Sequence, residues 1–287
     1  MKYEPSALRG IGWMVLAVTA WSAMMIIVRA LSSDYTSFQI LFVRTAVGMI
    51  ILLPLIWRSG PGSLRTKRFP LHLLRTSFAY IGMLGLFIGI SKAPLAEVVA
   101  LSFTQPIFAV VLASAFFAEK LGARRLGVCV IGFIGVLIIS RPSLSGSVLG
   151  PLIILGSAIS YACSNLCIKN LTKTETPIAT TLWVNILMCP LAGIPAFFYW
   201  IEPNAIDYIL LCGVGVAGTA GIWCVTHAYS EAEIGAVAPL DFLRLPIVAI
   251  AGWLMFNETT EFWTLVGAVI IFLSGAALAR FEVRVSK

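Results

Sequence analysis

Charge is scarce in this chain. Only 11% of its 287 residues are Asp, Glu, Lys or Arg, against 59% hydrophobic, whereas a soluble globular domain carries about 25% charged residues. Water is therefore not its main solvent. Long polar stretches are missing as well: apolar runs of roughly 20 residues are parted by short breaks such as Ser32-Ser33-Asp34-Tyr35, which leave no room for a soluble domain. There are two histidines in all. Gly-x-Ser-x-Gly, His-Glu-x-x-His and paired catalytic aspartates are absent, so an intramembrane enzyme has nothing to work with and none is expected. A channel finds no repeated filter sequence or ring of like charge.

Six cysteines, Cys129, Cys163, Cys167, Cys189, Cys212 and Cys224, all lie within apolar runs, which argues against a disulfide framework. Cys163 and Cys167 share a helix face, yet no histidine or carboxylate joins them to complete a metal shell. Buried packing explains them, and neither metal nor cofactor is expected. The first apolar run lacks an Ala-x-Ala-like cleavage site and reads as a retained helix. The formal net charge of +7 raises nucleic acid as a partner, but Lys and Arg sit at the ends of apolar runs, where a bilayer needs them. The expected partners are the lipid bilayer and a small-molecule solute; nothing specifies an oligomeric state.

Apolar runs and breaks place spans at about 10–31, 36–57, 72–91, 96–117, 124–140, 150–171, 178–200, 206–229, 234–256 and 263–280. The alternate breaks carrying Lys2, Arg9, Arg58, Arg65, Lys67, Arg68, Arg75, Lys120, Arg124, Arg125, Lys169, Lys173, Arg280, Arg284 and Lys287 face those with only Arg29, Lys92 and Arg141. The positive-inside rule then puts both termini in the cytoplasm of a bacterial-type inner (plasma) membrane.

Sliding the chain along itself by about 140 residues reveals a repeat. Ser91-Lys-Ala-Pro-Leu-Ala-Glu-Val-Val-Ala-Leu-Ser-Phe103 matches Ser230-Glu-Ala-Glu-Ile-Gly-Ala-Val-Ala-Pro-Leu-Asp-Phe242 without a gap, and Glu119 falls on Glu258. Nearby offsets set Gly10 on Gly150, Arg29 on Lys169, Pro54 on Pro195 and Gly135 on Gly275. Two halves, residues 1–143 and 144–287, thus carry five spans each, and an odd number makes the second enter the bilayer from the opposite side. The expected fold is an all-α membrane protein: ten transmembrane helices arranged as two inverted five-helix repeats around a central cavity.

The segment Pro94-Leu-Ala-Glu-Val-Val-Ala-Leu-Ser-Phe-Thr-Gln-Pro106, with Glu119-Lys-Leu-Gly-Ala-Arg-Arg-Leu-Gly-Val-Cys-Val-Ile-Gly-Phe-Ile-Gly-Val-Leu-Ile-Ile-Ser-Arg-Pro142, resembles the first EamA domain of the drug/metabolite transporter superfamily. The second half resembles the second EamA domain more loosely. The resemblance implies a cavity lined mainly by the first, third, fourth, sixth, eighth and ninth helices. Members include exporters of amino acids and other metabolites and importers of riboflavin or S-adenosylmethionine, so direction does not follow. The pattern departs where Glu97 becomes Ala236 and Gln105-Pro106 becomes Arg244-Leu245-Pro246.

Charge within a bilayer costs at least about 2.5–3.5 kcal/mol at a helix centre on insertion scales, so Arg44, Asp241 and Arg244 each need a reason. Asp241 and Arg244 stand three apart on one face and are expected to pair, either to make the ninth helix insertable or to bind solute. Proline near mid-helix at Pro246, as at Pro106 beside Gln105, would free carbonyls for a cavity. Arg44 has no partner in its own span, and a bond to a neighbouring backbone or to Asp241 is expected. Aromatic Trp21, Tyr80, Tyr161 and Trp223, with Gln105 and Asn165, read either as cavity lining or as packing and interhelical bonding. Arg29, Glu97 and Lys169 are gate candidates with an interfacial alternative, and His227 reads as interfacial. Gly82, Gly85 and Gly89, with Gly213, Gly215, Gly218 and Gly221, should let helices approach closely. Together these point to a secondary transporter or facilitator of a small amphipathic metabolite, amino-acid-like and exported, working by alternating access. The alternatives are import of a vitamin or nucleoside-like solute and a non-transporting scaffold. Proton coupling through Asp241 is open.

Overall fold

In hydrocarbon every backbone N–H and C=O must find its partner within the protein, which leaves helices as the only spanning form for these uncharged runs. The computed structural model accordingly folds into helices and has no strand among its described residues: 7–59, 66–105, 107–109, 111–112, 123–140, 149–171, 174–175, 177–231 and 238–285. The first half supplies α1 (Ala7–Leu31), α2 (Ser37–Ser59), α3 (Phe69–Lys92), α4 (Leu95–Ser102) and α5 (Ala123–Ser140). The second supplies α6 (Leu149–Leu171), α7 (Pro177–Phe198), α8 (Ala205–Glu231), a 3-10 helix (Ala238–Leu243), α9 (Arg244–Phe256) and α10 (Phe262–Val285). Six segments are long and apolar enough to cross a membrane by length and composition: Leu8–Leu31, Ser37–Pro54, Phe69–Lys92, Leu149–Ile168, Ala179–Phe198 and Ala205–Ala228. The fourth, fifth, ninth and tenth expected spans are shorter apolar helices. Large apolar side chains such as Ile50, Ile81, Ile194, Phe197 and Trp253 face outward, as side chains solvated by lipid tails do.

Helix pairing respects the repeat. α1 packs along α8 and α3 along α6; α2 meets both α7 and α8, α3 meets α7, and α4 meets α9. α5 lies along α10, where Ser274 donates to the Val128 carbonyl at 2.7 Å. Exchanging each helix with the one five places on turns α1–α8 into α6–α3 and α2–α8 into α7–α3, and leaves α2–α7, α4–α9 and α5–α10 in place. The glycines serve these contacts as expected. Gly82, Gly85 and Gly89 of α3 face Tyr161, Ser157 and Ile154 of α6, while Gly215, Gly218 and Gly221 of α8 face Val47 and Arg44 of α2 and Trp21 of α1.

Two helices are interrupted at matched positions. α4 stops at Ser102, Phe103 and Thr104 form a turn, and helix resumes at Gln105. In the second half the 3-10 helix runs through Asp241 to Leu243 and α-helix begins at Arg244. The repeat alignment sets Phe103 on Phe242, so the turn in one half and the 3-10-to-α passage in the other fall at one register. This corrects the expected role of Pro246. It lies in the first turn of α9, three residues after the end of the 3-10 helix, rather than mid-helix. Pro106 lies outside the described residues.

Candidate functional site

The interruption in the ninth span delivers Asp241 and Arg244 to the interior. Arg244 Nη2 donates to Asp241 Oδ1 as the i, i+3 spacing predicts, and both side chains keep only a minor part of their surface exposed. The Arg244 guanidinium also stacks over the Trp21 ring of α1, 4.9 Å from its centroid, a cation–π contact strengthened where water is scarce. Trp21 in turn is seated against Gly221, where an added Cβ would come within 2.4 Å of the indole Nε1. The same contact recurs in the other half: Tyr161 of α6 lies against Gly82 of α3, with 3.1 Å for the corresponding Cβ. Trp21 and Tyr161 occupy matched repeat positions, as do Gly221 and Gly82. The Tyr161 ring is close enough to feel the charges of both Arg44 and Arg244.

Trp21, Tyr161, Asp241 and Arg244 are therefore gathered in one place. The other expected cavity residues are not tied to it. Tyr80 is half-buried against the apolar core and Gln105 half-buried where the fourth span resumes, while Asn165 is exposed. Trp223 is 52% exposed and lies tilted against His227, centroids 4.8 Å apart, and Trp13 also meets that imidazole, at 5.0 Å. Arg44 differs from expectation in its partner: Asp241 is held by Arg244, and Arg44 makes no hydrogen bond or ion pair among the described residues.

A second cluster closes the end of the molecule where α1, α3 and α9 finish. Arg29 Nη2 meets Glu258 Oε1 at 2.6 Å, and its Nη1 donates to the Ile90 carbonyl at 2.6 Å. Glu258 Oε2 accepts the backbone N–H of Leu95 at 2.8 Å, capping the start of α4. A carboxylate suits that position because the first amides of a helix lack intrahelical partners. Asn257 makes the geometry: it ends α9 with φ 53° and ψ 29°, and this left-handed turn brings Glu258 back towards α4. The Arg29–Glu258 pair thus joins α1, α3, α4 and α9, drawn from both halves. Further links lie nearby: Gln39 exchanges bonds with Ile201 at 2.7 and 3.0 Å, and the Tyr35 phenol donates to Asp207 at 2.6 Å. Glu97 stands in the first turn of α4, within reach of the charge of Glu261 rather than of a base. Lys169 belongs to α6, and its side chain lies outside the described ones.

Sequence reading missed Glu258 and His72. Glu258 stood only as the repeat match of Glu119, which was a usable signal. His72 of α3 is fully buried beside Trp183, ring centroids 5.8 Å apart, and neither ring nitrogen has a partner among the described residues. Its neighbours Arg68 and Arg75 bind the ends of α6 and α7, Arg68 Nη1 donating to Asn170 Oδ1 at 3.3 Å and Arg75 Nη1 to the Thr180 carbonyl. No group of His, Cys, Asp and Glu that could hold a metal occurs among the described residues.

Known proteins resemble the chain throughout its length. An S-adenosylmethionine uptake transporter of Rickettsia bellii is 32% identical over 91% of this chain and 90% of its own. A riboflavin transporter of Vibrio cholerae is 31% identical over 100% and 97%, and a pseudopaline exporter of Pseudomonas aeruginosa 24% identical over 93% and 94%. A solved crystal structure shares the fold, with a TM-score of 0.64 and 13% identity across 97% of this chain and 98% of that one. The EamA-like transporter family matches twice, over residues 8–141 and 148–279. The chain is a multi-pass membrane protein and a member of the EamA-like transporter family, whose relatives move small molecules rather than catalyse reactions.

Proposed function

We propose that the protein carries a small amphipathic metabolite across a bacterial inner membrane by alternating access. Residues 1–143 and 144–287 act as inverted five-helix repeats, with both termini cytoplasmic, and rock about a site at the two helix interruptions. The observation that carries this reading is the mid-span cluster of Arg244, Asp241, Trp21 and Tyr161, where an aromatic face, a carboxylate and a cation meet. Such a site suits a solute with a ring or apolar body and an ionised end. Tyr80, Gln105, Asn165 and Trp223 complete the cavity as the halves move. Arg29 with Glu258 forms the outer gate, beside Glu97, and Lys169 serves the inner face as the repeat counterpart of Arg29.

Uptake is the direction we favour, because the Rickettsia relative that matches over nine-tenths of both chains is an uptake transporter. The solute class is then nucleoside-like or vitamin-like, in line with the S-adenosylmethionine and riboflavin relatives. Export of an amino-acid-like metabolite is the second reading, supported by the pseudopaline exporter. Asp241 is the group to carry a proton if Arg244 releases it during the cycle. Purified protein in liposomes, offered S-adenosylmethionine, riboflavin and amino acids with and without a proton gradient, separates these readings. Flux of at least one solute is expected, lowered roughly 10- to 100-fold by Arg244→Ala, the usual worth of a charge-assisted bond. Undiminished flux in that variant removes Arg244 from the site.

A further inference from the structure

Arg44 is the least accounted-for charge in the interior. It stands seven residues into α2, about 10 Å along the helix from its outer end, and the residue is 8% exposed. Its guanidinium rests on α8: a Cβ at Gly218 would lie 3.1 Å from Nε and 3.3 Å from Nη2, beside the Met24 sulfur of α1. Nε is buried without a partner, and no hydrogen bond or ion pair to Arg44 exists among the described residues. Asp241, the nearest acid by sequence reasoning, is already held by Arg244.

Gly218 and Gly221 lie on the same face of α8, three residues apart. They seat Arg44 and Trp21 side by side, with Arg244 stacked on Trp21 and Tyr161 close enough to feel both guanidinium charges. Asp241 cancels one of the two positive charges and nothing described cancels the other. A buried guanidinium without a counter-ion is costly and always charged, so the group cannot escape by losing its proton. Its planar fork is suited to two parallel bonds to an oxyanion.

We infer that Arg44, on the Gly218 floor beside Met24, is a binding site for an oxyanion, a carboxylate or phosphate, carried by the transported solute. The inference rests on the transport reading for its solute but not for its chemistry. Trp21 and Arg244 take the ring, and Arg44 takes the negative end. This site distinguishes solutes by charge: an acid is held and its neutral isostere is not.

The test uses the purified full-length protein, its melting temperature measured with benzoate as a minimal amphipathic carboxylate and with benzamide as its neutral isostere. Benzoate is expected to raise the melting temperature of the wild type and benzamide to leave it unmoved. Arg44→Gln should melt no lower than wild type without ligand, since a costly lone charge has gone, and should need about tenfold or more benzoate for the same shift. Arg44→Lys should keep part of the response. The proposal is overturned if benzoate shifts the wild type and Arg44→Gln equally, if it does not shift the wild type, or if both variants melt well below wild type whatever is added. Failure of liposome flux alongside a benzoate shift that depends on Arg44 would sink the transport reading and leave the anion site standing.

Discussion

The fourth and ninth spans share a backbone and differ in chemistry. Both are interrupted at one repeat position, by a turn at Phe103 and Thr104 in one and by the passage from 3-10 to α-helix at Arg244 in the other. Ser102 and Gln105 occupy the first interruption and Asp241 and Arg244 the second, so a neutral pair faces a charged one. The break follows from the fold, because both halves retain it. The charges stand in one copy only, so the two interruptions offer different chemistry on a shared backbone plan. Symmetry also explains the paired seats of Trp21 on Gly221 and Tyr161 on Gly82.

The largest effect should come from separating the charged pair. Asp241→Asn leaves Arg244 without its carboxylate, and Arg244→Gln leaves Asp241 without its cation, each costing about 3–5 kcal/mol for a buried pair that loses one partner, less in proportion to the exposure that remains here. The double variant should recover much of that loss, because no lone charge remains, and would then resemble the neutral first half. Melting temperatures of the three variants measure this; additive losses would show that the two residues do not act as a pair.

The glycine seats are expected to break unequally. At Gly221 a methyl meets the rigid indole of Trp21 at 2.4 Å, whereas at Gly82 it meets the Tyr161 ring at 3.1 Å. Gly221→Ala should cost about 1–3 kcal/mol, as overpacking does, and Gly82→Ala less than about 1 kcal/mol. Equal losses in thermal denaturation would mean that the two seats are not equivalent contacts of different tightness.

The Arg29–Glu258 closure offers a comparison of a similar scale. Glu258→Gln keeps one acceptor for Leu95 but loses the ion pair with Arg29, which should weaken the closure by about 1–2 kcal/mol. Faster labelling of a cysteine placed at Ala93 by a membrane-impermeant maleimide would report it. A rate unchanged from that of the Glu258 parent would mean the pair does not hold the halves together.

The smallest effect concerns Glu202, in the turn between α7 and α8. Bonds from the Tyr208 phenol and then the Trp200 indole hold its carboxyl below the usual carboxylate range. Its contribution is present above the ordinary pKa of an unfolded glutamate, about 4.3, and is lost as pH falls through the lower folded value. Trp200 fluorescence should therefore stay constant from neutral pH down to that range and change only below it. Glu202→Gln should abolish the transition, and a midpoint near neutrality would contradict this assignment.

Much of this was legible from residue order. The length of the apolar runs disclosed the helices, and the match of Ser91–Phe103 to Ser230–Phe242 disclosed a repeat that the largest helix contacts follow. The Asp241–Arg244 pair followed from i, i+3 spacing alone. Arg44 was visible as a cation in lipid, but whether it or Arg244 would take Asp241 depends on how α2 and the 3-10 helix sit across the interior. Glu258 was hidden for a different reason: its role depends on the left-handed Asn257, which no local pattern announces. Trp223 shares a helix with Gly221 but points to another side, so mid-depth position did not decide orientation. His72 lay among basic residues that read as an interface, and only packing against Trp183 shows it buried.

Water access to the interruption in the fourth span tests the central claim most directly. In a cysteine-free background, Gln105→Cys in sealed vesicles should react with an impermeant maleimide from one membrane face at a time, and transported solute should alter which face that is. Reaction from neither face under any condition, or from both at once, would contradict a solvated site that opens alternately between two inverted halves.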